Sequence, residues 1–242
     1  MKRRAGLSIG QRIFLVLAIL VGGYLFFGIS KYFRVVAFQG NSMAPSLYHG
    51  DRMVGLYPGS LQRGDLVYFQ MPEKAFEALY GPAQMLGVGS AFRPYLIKRI
   101  VGLPGDVVHF EQGQVFVNDR SIPDAQVNAF WRKQGCFDRS SEGANFALTG
   151  MLSGEEPQKK ITVPDGHYYV LGDTRQEKGS EDSRFFGVIA QRDIHNKVVA
   201  VVWPLFRAPE AQGLCGMPSY PGAVKFTGAS SWYPHLLKRW DF

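Results

Sequence analysis

Ser42 stands in the run Gly40-Asn41-Ser42-Met43-Ala44-Pro45. Pro45 disfavours helix at Ala44, and the residues before Gly40 read as a strand, so the serine is presented on a turn at a strand end. A serine placed there can act as a nucleophile when a neighbouring group takes its proton. The five histidines, His49, His109, His167, His195 and His235, fall in no recognisable catalytic motif. The chain has neither a G-x-S-x-G elbow nor an H-E-x-x-H motif. A lysine can serve instead if burial removes its charge. Lys98 lies in Leu96-Ile97-Lys98-Arg99-Ile100-Val101, a strand pattern in which Leu96, Lys98 and Ile100 share one face. Apolar neighbours disfavour an ammonium group. A free lysine titrates near ~10.4 and a useful base near ~7–8, so the site must supply ~3 pH units, or about 4 kcal/mol. The chemistry these two residues suggest is serine–lysine hydrolysis through an acyl-enzyme.

The elements that must position them are mostly strands. Aromatic and β-branched runs mark Tyr32 to Gln39, Asp51 to Leu56, Asp65 to Gln70 and Tyr95 to Val101. Val107 to Phe110 and Gln114 to Val117 read as a hairpin about Gln112-Gly113. Further strand signals occur at Ile161 to Val163, Tyr168 to Leu171 and Lys197 to Trp203. A short helix is expected near Glu73 to Tyr80. Residues 120–160 are polar and irregular and read as an excursion from the main sheet, and residues 205–242 read as loop. Fourteen prolines and 28 glycines scattered among short apolar runs agree with a β-rich chain.

The N-terminus differs from the rest. Ile13 to Ser30 is uncharged and apolar, and 18 residues of helix span ~27 Å, close to the ~30 Å hydrocarbon core of a bilayer. It ends in Ser30-Lys31-Tyr32-Phe33-Arg34, which is a poor cleavage site, so a retained transmembrane signal anchor is expected over 13–30. Residues 1–12 hold Lys2, Arg3, Arg4 and Arg12 without an acid, so this basic tail is expected in the cytoplasm. Residues 31–242 would then form a catalytic domain across the membrane. The tail also accounts for most of the net charge of +7, leaving about +3 on the remainder, which calls for no nucleic-acid partner. Cys136 and Cys215 are too few and too far apart for a zinc site, and the sequence leaves open whether they are bonded or free.

Four segments together resemble the type I signal peptidase family. Ser42-Met43-Ala44-Pro45-Ser46-Leu47 with Gly50-Asp51 is similar to its nucleophile box, and Arg63-Gly64-Asp65-Leu66-Val67 to its second box. Lys98-Arg99-Ile100-Val101-Gly102-Leu103-Pro104-Gly105-Asp106 resembles the box that carries the lysine. Gly172-Asp173-Thr174-Arg175, then Ser180, Asp182-Ser183-Arg184 and Gly187, resembles the last box. The resemblance implies a mostly β fold: an antiparallel catalytic core with a smaller β-rich excursion, preceded by one transmembrane helix. It implies Ser42 as nucleophile, Lys98 as general base, Ser180 as a hydroxyl orienting the lysine, and Asp182 with Arg184 as a supporting ion pair. Asp173 and Arg175 match structural positions, and the Ser42 N–H forms part of an oxyanion hole. No metal or cofactor is implied. The partners implied are the signal peptides of exported preproteins, bound as an added strand, and the lipid bilayer. Val35, Val36 and Phe38 are candidates for the binding wall.

The chain departs from the family pattern in three places. Gly40 stands where some members carry an oxyanion-hole serine. Thr174 replaces the usual asparagine, and the segment from Arg175 to Ser180 is two residues longer than the common form, which makes Ser183 a rival for Ser180. The same boxes fit a conjugative-transfer pilin-processing peptidase or, more remotely, a non-catalytic membrane-anchored assembly module. A self-cleaving repressor with the same dyad needs a helix-turn-helix domain before the serine and is not expected, because the membrane span fills much of the 41 residues that precede Ser42 here. Trp232, Tyr233, Leu236, Leu237, Trp240 and Phe242, with Lys238 and Arg239, are expected at the membrane interface, and a helix there would align Tyr233, Leu236, Leu237 and Trp240.

Overall fold

The computed structural model describes residues 8–30, 32–80, 93–137, 160–176, 179–215 and 224–237. Helix α1 (Ile9–Ser30) leads into β1 (Phe33–Ala37), β2 (Arg52–Leu56), β3 (Leu66–Gln70), helix α2 (Glu73–Tyr80) and β4 (Tyr95–Gly102). Then come β5 (Val107–Glu111), β6 (Gln114–Val117), β7 (Arg120–Ser121) and helix α3 (Ala125–Gln134). Beyond residue 159 lie β8 (Lys160–Thr162), β9 (His167–Leu171), helix α4 (Ser183–Phe186), β10 (Ile189–Ala190) and β11 (Ile194–Trp203). Short strands follow: β12 (Phe206–Arg207), β13 (Glu210–Gln212), β14 (Lys225–Thr227), β15 (Ser231–Trp232) and β16 (His235–Leu236).

One eight-stranded antiparallel sheet runs β1-β2-β11-β3-β4-β9-β10, with β16 added against β11. The long β11 pairs with β3 through its first half and with β2 through its second, with register shifts in both ladders. Such irregularities bend a strand and increase its twist. A separate four-stranded sheet, β7-β6-β5-β8, covers the end of β4 and β9. Val108, Phe110, Val115 and Val117 pack there on Val101, Tyr169 and Leu171. The connection into this sheet is the turn Leu103-Pro104-Gly105-Asp106. Proline presets the first corner, Gly105 takes φ 85°, and the Asp106 carboxylate accepts the Leu103 N–H at 2.6 Å.

The mostly β architecture and the helix at Glu73–Tyr80 are as expected. The excursion begins differently. Its Asp124 to Gly135 stretch is not irregular but forms α3, which buries Val127, Asn128 and Trp131 and ends on Gly135 at φ 82°. Most of the remaining excursion lies outside the described residues. The tail expected as loop holds five short strands, and Tyr233 to Leu237 is not helical: Pro234 separates β15 from β16. Trp240, Phe242, Lys238 and Arg239 lie outside the described residues. The expected transmembrane segment is helical, but among the described residues no helix is long and apolar enough to cross a membrane, so the fold does not establish the span. Cys136 and Cys215 form a disulfide with Cα atoms 5.7 Å apart.

Candidate active site

Strand β1 ends in a pinched loop. Phe38 donates its N–H to Asp51 O at 2.8 Å, and Gly50 donates to Phe38 O at 2.9 Å. The loop between them carries Ser42. Met43, Ala44 and Leu47 are fully buried and fasten the loop into the core, while Ser42 is half-buried. Alternation along β1 sends Val36 and Phe38 into the same apolar cluster as Met43 and turns Val35, 55% exposed, to the opposite face. The three candidate wall residues therefore do not form one surface.

Strand β4, paired on both sides by β3 and β9, carries Lys98 at 1% exposure. Lys98 Nζ lies 2.6 Å from Ser42 Oγ. Burial disfavours its ammonium and is the largest influence, outweighing the attraction of Asp182, so the lysine titrates at about 8. The fold thus brings together two residues 56 positions apart and leaves the lysine within reach of a free-base form near neutral pH.

The last box lies under the Ser42 loop. Thr174 donates its N–H to Ser42 O at 3.1 Å and its hydroxyl to Asn41 O at 2.5 Å. The threonine that replaces asparagine thus holds the Ser42 turn by its own side chain. Arg99, next to Lys98, grips Asp173 through Nε at 2.9 Å and a second nitrogen at 2.6 Å. Ser46 donates its hydroxyl to the same carboxylate. Asp182 accepts from Arg184 at 2.9 and 2.8 Å and from the Gly172 N–H at 2.9 Å. Burial alone would raise the Asp182 carboxyl, but Arg184 and the Gly172 N–H outweigh it and hold the group low.

Ser180 and Ser183 part company here. Ser183 Oγ accepts the Val170 N–H at 2.8 Å and caps the back of β9. Ser180 is buried, among the described residues its hydroxyl has no hydrogen-bond partner, and it lies against Gly172. A Cβ on Gly172 would overlap Ser180 Oγ and stand 2.5 Å from Ser42 O, so only glycine admits this approach. Arg175 pairs with Asp124 of the excursion at 3.3 Å, and both are buried. In the second box, Arg63 meets Asp106 at 2.9 Å, and Asp65 meets Lys197 at 2.8 Å.

Two contributors escaped the sequence reading. Arg99 was visible only as the neighbour of Lys98, and strand alternation sends the two side chains to different partners. Trp131 donates its indole N–H to Asp173 O at 2.8 Å and Ala44 O at 3.1 Å. The signals for its helix were present, Pro123-Asp124 before and Gly135 after, with Arg132 and Lys133 in the last turn.

Residues 8–203 match the family model described as signal peptidase, peptidase S26. Signal peptidase IB of Staphylococcus aureus (strain COL) is 28% identical over 200 residues, covering 78% of this chain and 88% of the relative. Signal peptidase I P of Bacillus subtilis subsp. natto is 29% identical over 201 residues, covering 81% of this chain and 91% of the relative. A crystal structure of a signal peptidase I from Enterococcus faecalis V583 superposes with a TM-score of 0.40 at 24% identity, over 57% of this chain and 97% of that one. With its match running from residue 8 to residue 203, through the Ser42 loop, β4 and the last box, the chain belongs to the signal peptidase family, peptidase S26, and is a serine endopeptidase of the signal peptidase I kind.

Proposed function

We propose that the protein is a membrane-anchored peptidase that removes signal peptides from exported preproteins with a Ser42–Lys98 dyad. The observation that carries this reading is the 2.6 Å approach of a buried lysine amine to the serine hydroxyl. With Lys98 neutral, the Ser42 hydroxyl donates to Nζ and passes its proton there as Oγ attacks the carbonyl at the end of the signal peptide. The tetrahedral intermediate collapses to an acyl-enzyme, and the protonated Lys98 supplies the proton to the leaving amine. The mature chain leaves as that amine, and Lys98 then activates the water that hydrolyses the ester and releases the signal peptide from Ser42. The Ser42 N–H faces the developing oxyanion, with no side-chain donor at Gly40. Ser180 is assigned to orient the amine, which requires its hydroxyl to turn to Nζ from the unpartnered position it holds here, and Asp182 with Arg184 holds the segment that brings Ser180 against Gly172. Val36 and Phe38, on the side of β1 that meets Met43, belong to the binding wall.

Helix α1 anchors the enzyme in the cytoplasmic membrane, with the basic tail inside and the catalytic domain on the outer side. The exposed face of β1 and its neighbours supports this placement. Phe33 pairs with Leu56, Val35 with Val54, Val54 with Ala200 and Ala200 with Leu236, and Phe33, Val35, Leu56 and Leu236 are all exposed. An apolar patch beside the end of α1 fits a lipid surface.

Cleavage of an exported preprotein in detergent by wild type and Ser42→Ala tests the dyad. The variant is expected to be folded and inactive, and retention of more than a few per cent of wild-type activity removes Ser42 from the mechanism. Flotation with vesicles tests the anchor: the full chain is expected to float and a chain lacking residues 1–30 to do so less. Equal flotation would assign membrane attachment to the catalytic domain.

A further inference from the structure

Helix α3 lies outside all four sequence motifs, yet it touches the catalytic loop. Trp131 is fully buried, and an indole N–H is a donor only. That single donor reaches two carbonyls, Asp173 O at 2.8 Å and Ala44 O at 3.1 Å. Ala44 follows Ser42 by two positions, and Asp173 precedes Thr174, whose N–H binds Ser42 O at 3.1 Å. The carbonyls of Asn41 and Ser42 are held by Thr174, and that of Ala44 by Trp131. The indole therefore ties the nucleophile turn to the last box from outside both.

The helix that carries it is held at both ends. Asp124 at its start pairs with the buried Arg175 at 3.3 Å. Two residues past Gln134, Cys136 is bonded to Cys215 of the C-terminal segment. Leu214 and Ala211 of that segment pack in the same cluster as Trp131, Ala44 and Tyr48. The disulfide thus closes a layer formed by α3 and the C-terminal segment against the nucleophile loop.

We propose that Trp131 is a positioning residue for acyl transfer: its N–H, on a helix pinned by the Cys136–Cys215 disulfide, fixes the turn that aims Ser42 Oγ at Lys98 Nζ. The proposal rests on the assignment of Ser42 and Lys98 made above. Displacement of a reacting group by ~1 Å can lower a rate by ~10²-fold, so a turn released at one of three carbonyl anchors is expected to lose about tenfold or more.

The test replaces Trp131 site-specifically with 3-benzothienylalanine, which keeps the bicyclic shape and substitutes sulfur for the N–H. With a preprotein in detergent, kcat is expected to fall about tenfold or more while KM stays within about twofold, because the turn and not the binding wall has moved. Cys136→Ser/Cys215→Ser is expected to lower kcat in the same sense. Dithiothreitol should slow wild type toward that double variant and leave the double variant unchanged. A benzothienyl variant with wild-type kcat, or one altered in KM alone, overturns the positioning role. If that variant does not fold, the double cysteine variant decides: unchanged kcat overturns the proposal. Ser42→Ala in the same assay separates the two levels of inference. Activity in Ser42→Ala removes the dyad and this proposal together, whereas an inactive Ser42→Ala beside an unaffected Trp131 analogue removes only the positioning role.

Discussion

The inner face of the four-stranded sheet and the floor beneath the Ser42 turn are both buried, with opposite chemistry. In the sheet, Val108, Phe110, Val115 and Val117 face Tyr169 and Leu171, and the ion pair Lys160–Asp119 stays at the exposed rim. Under the turn, Lys98, Arg99, Asp173, Asp182 and Arg184 are each 2% exposed or less. Arg99 is matched by Asp173 and Arg184 by Asp182, whereas among the described residues no carboxylate forms an ion pair with Lys98. Taking charges from water is expensive and is only partly offset by pairing. Stability alone does not explain that floor. Its two guanidinium–carboxylate pairs fix the backbone around one amine that has a hydroxyl in place of a counter-ion. The apolar sheet stabilises by burial, and the charged floor determines geometry and proton affinity.

The sharpest way to break this contrast is to remove the amine. Lys98→Arg is expected to be inactive despite its charge, because a guanidinium does not give up its proton at useful pH. In wild type, kcat/KM should rise with pH and level off above about 8, where the amine becomes neutral. Lys98→Met is expected to be inactive too, with a pH signature in stability. The unfolded lysine keeps its proton up to about 10.5, and the folded one releases it at about 8. Between these values the unfolded chain binds more protons, so wild-type stability rises with pH across that window, by about 3 kcal/mol for this group. Below about 8 the folded chain carries a disfavoured buried ammonium. The methionine variant lacks this rise. Urea unfolding of both proteins at pH 7 and pH 10 reads the gap between them. A gap independent of pH would mean that Lys98 is not desolvated as described.

Gly172→Ala is the next largest expected effect on rate. Its new methyl would overlap Ser180 Oγ and press on Ser42 O, so either the hydroxyl or the nucleophile turn must shift. A loss of about 10²-fold in kcat is expected, measured with the same preprotein. The counterpart in the apolar sheet is Val115→Ala, at a fully buried position. It removes two methyl groups' worth of burial and is expected to lower stability by about 2 kcal/mol with kcat unchanged. If Val115→Ala changed kcat and Gly172→Ala did not, the division of labour between the two regions would be reversed.

What the sequence made legible follows the same division. Strand periodicity placed the principal strands because β-branched and aromatic runs bounded by turn residues have a local cause. The motifs single out Ser42 and Lys98, which the fold brings to 2.6 Å, and alternation on β4 places Leu96 and Ile100 together, as they are found in one apolar cluster. The tie from Trp131 to Ala44 was not legible, because it joins residues 87 positions apart through backbone carbonyls that have no sequence signature. The Cys136–Cys215 bond was undetermined for a related reason: pairing depends on a Cα separation that only the assembled α3 and C-terminal segment define. Val35 and Val36 adjoin in sequence but face opposite ways, because alternation along β1 outweighs proximity in the chain.

The smallest expected effect comes from the exposed lysine of the other region. Lys160 Nζ lies 2.8 Å from Asp119 Oδ1, with side chains 56% and 74% exposed. The hydrogen bond and charge of Lys160 lower the Asp119 carboxyl below its usual value. A carboxyl lowered in the folded state contributes stability above its unfolded pKa and loses it as pH falls through the folded pKa. Water and salt screen an exposed pair, and ordering two long side chains opposes the attraction. Lys160→Ala is therefore expected to leave the thermal midpoint and kcat unchanged within error, while the Asp119 carboxyl, followed by NMR titration, moves up toward its ordinary value. Added salt should produce the same movement in wild type. A distinct fall in the midpoint of Lys160→Ala would show that β8 depends on this pair, and the contrast between an apolar sheet and a charged floor would have to be redrawn at its rim.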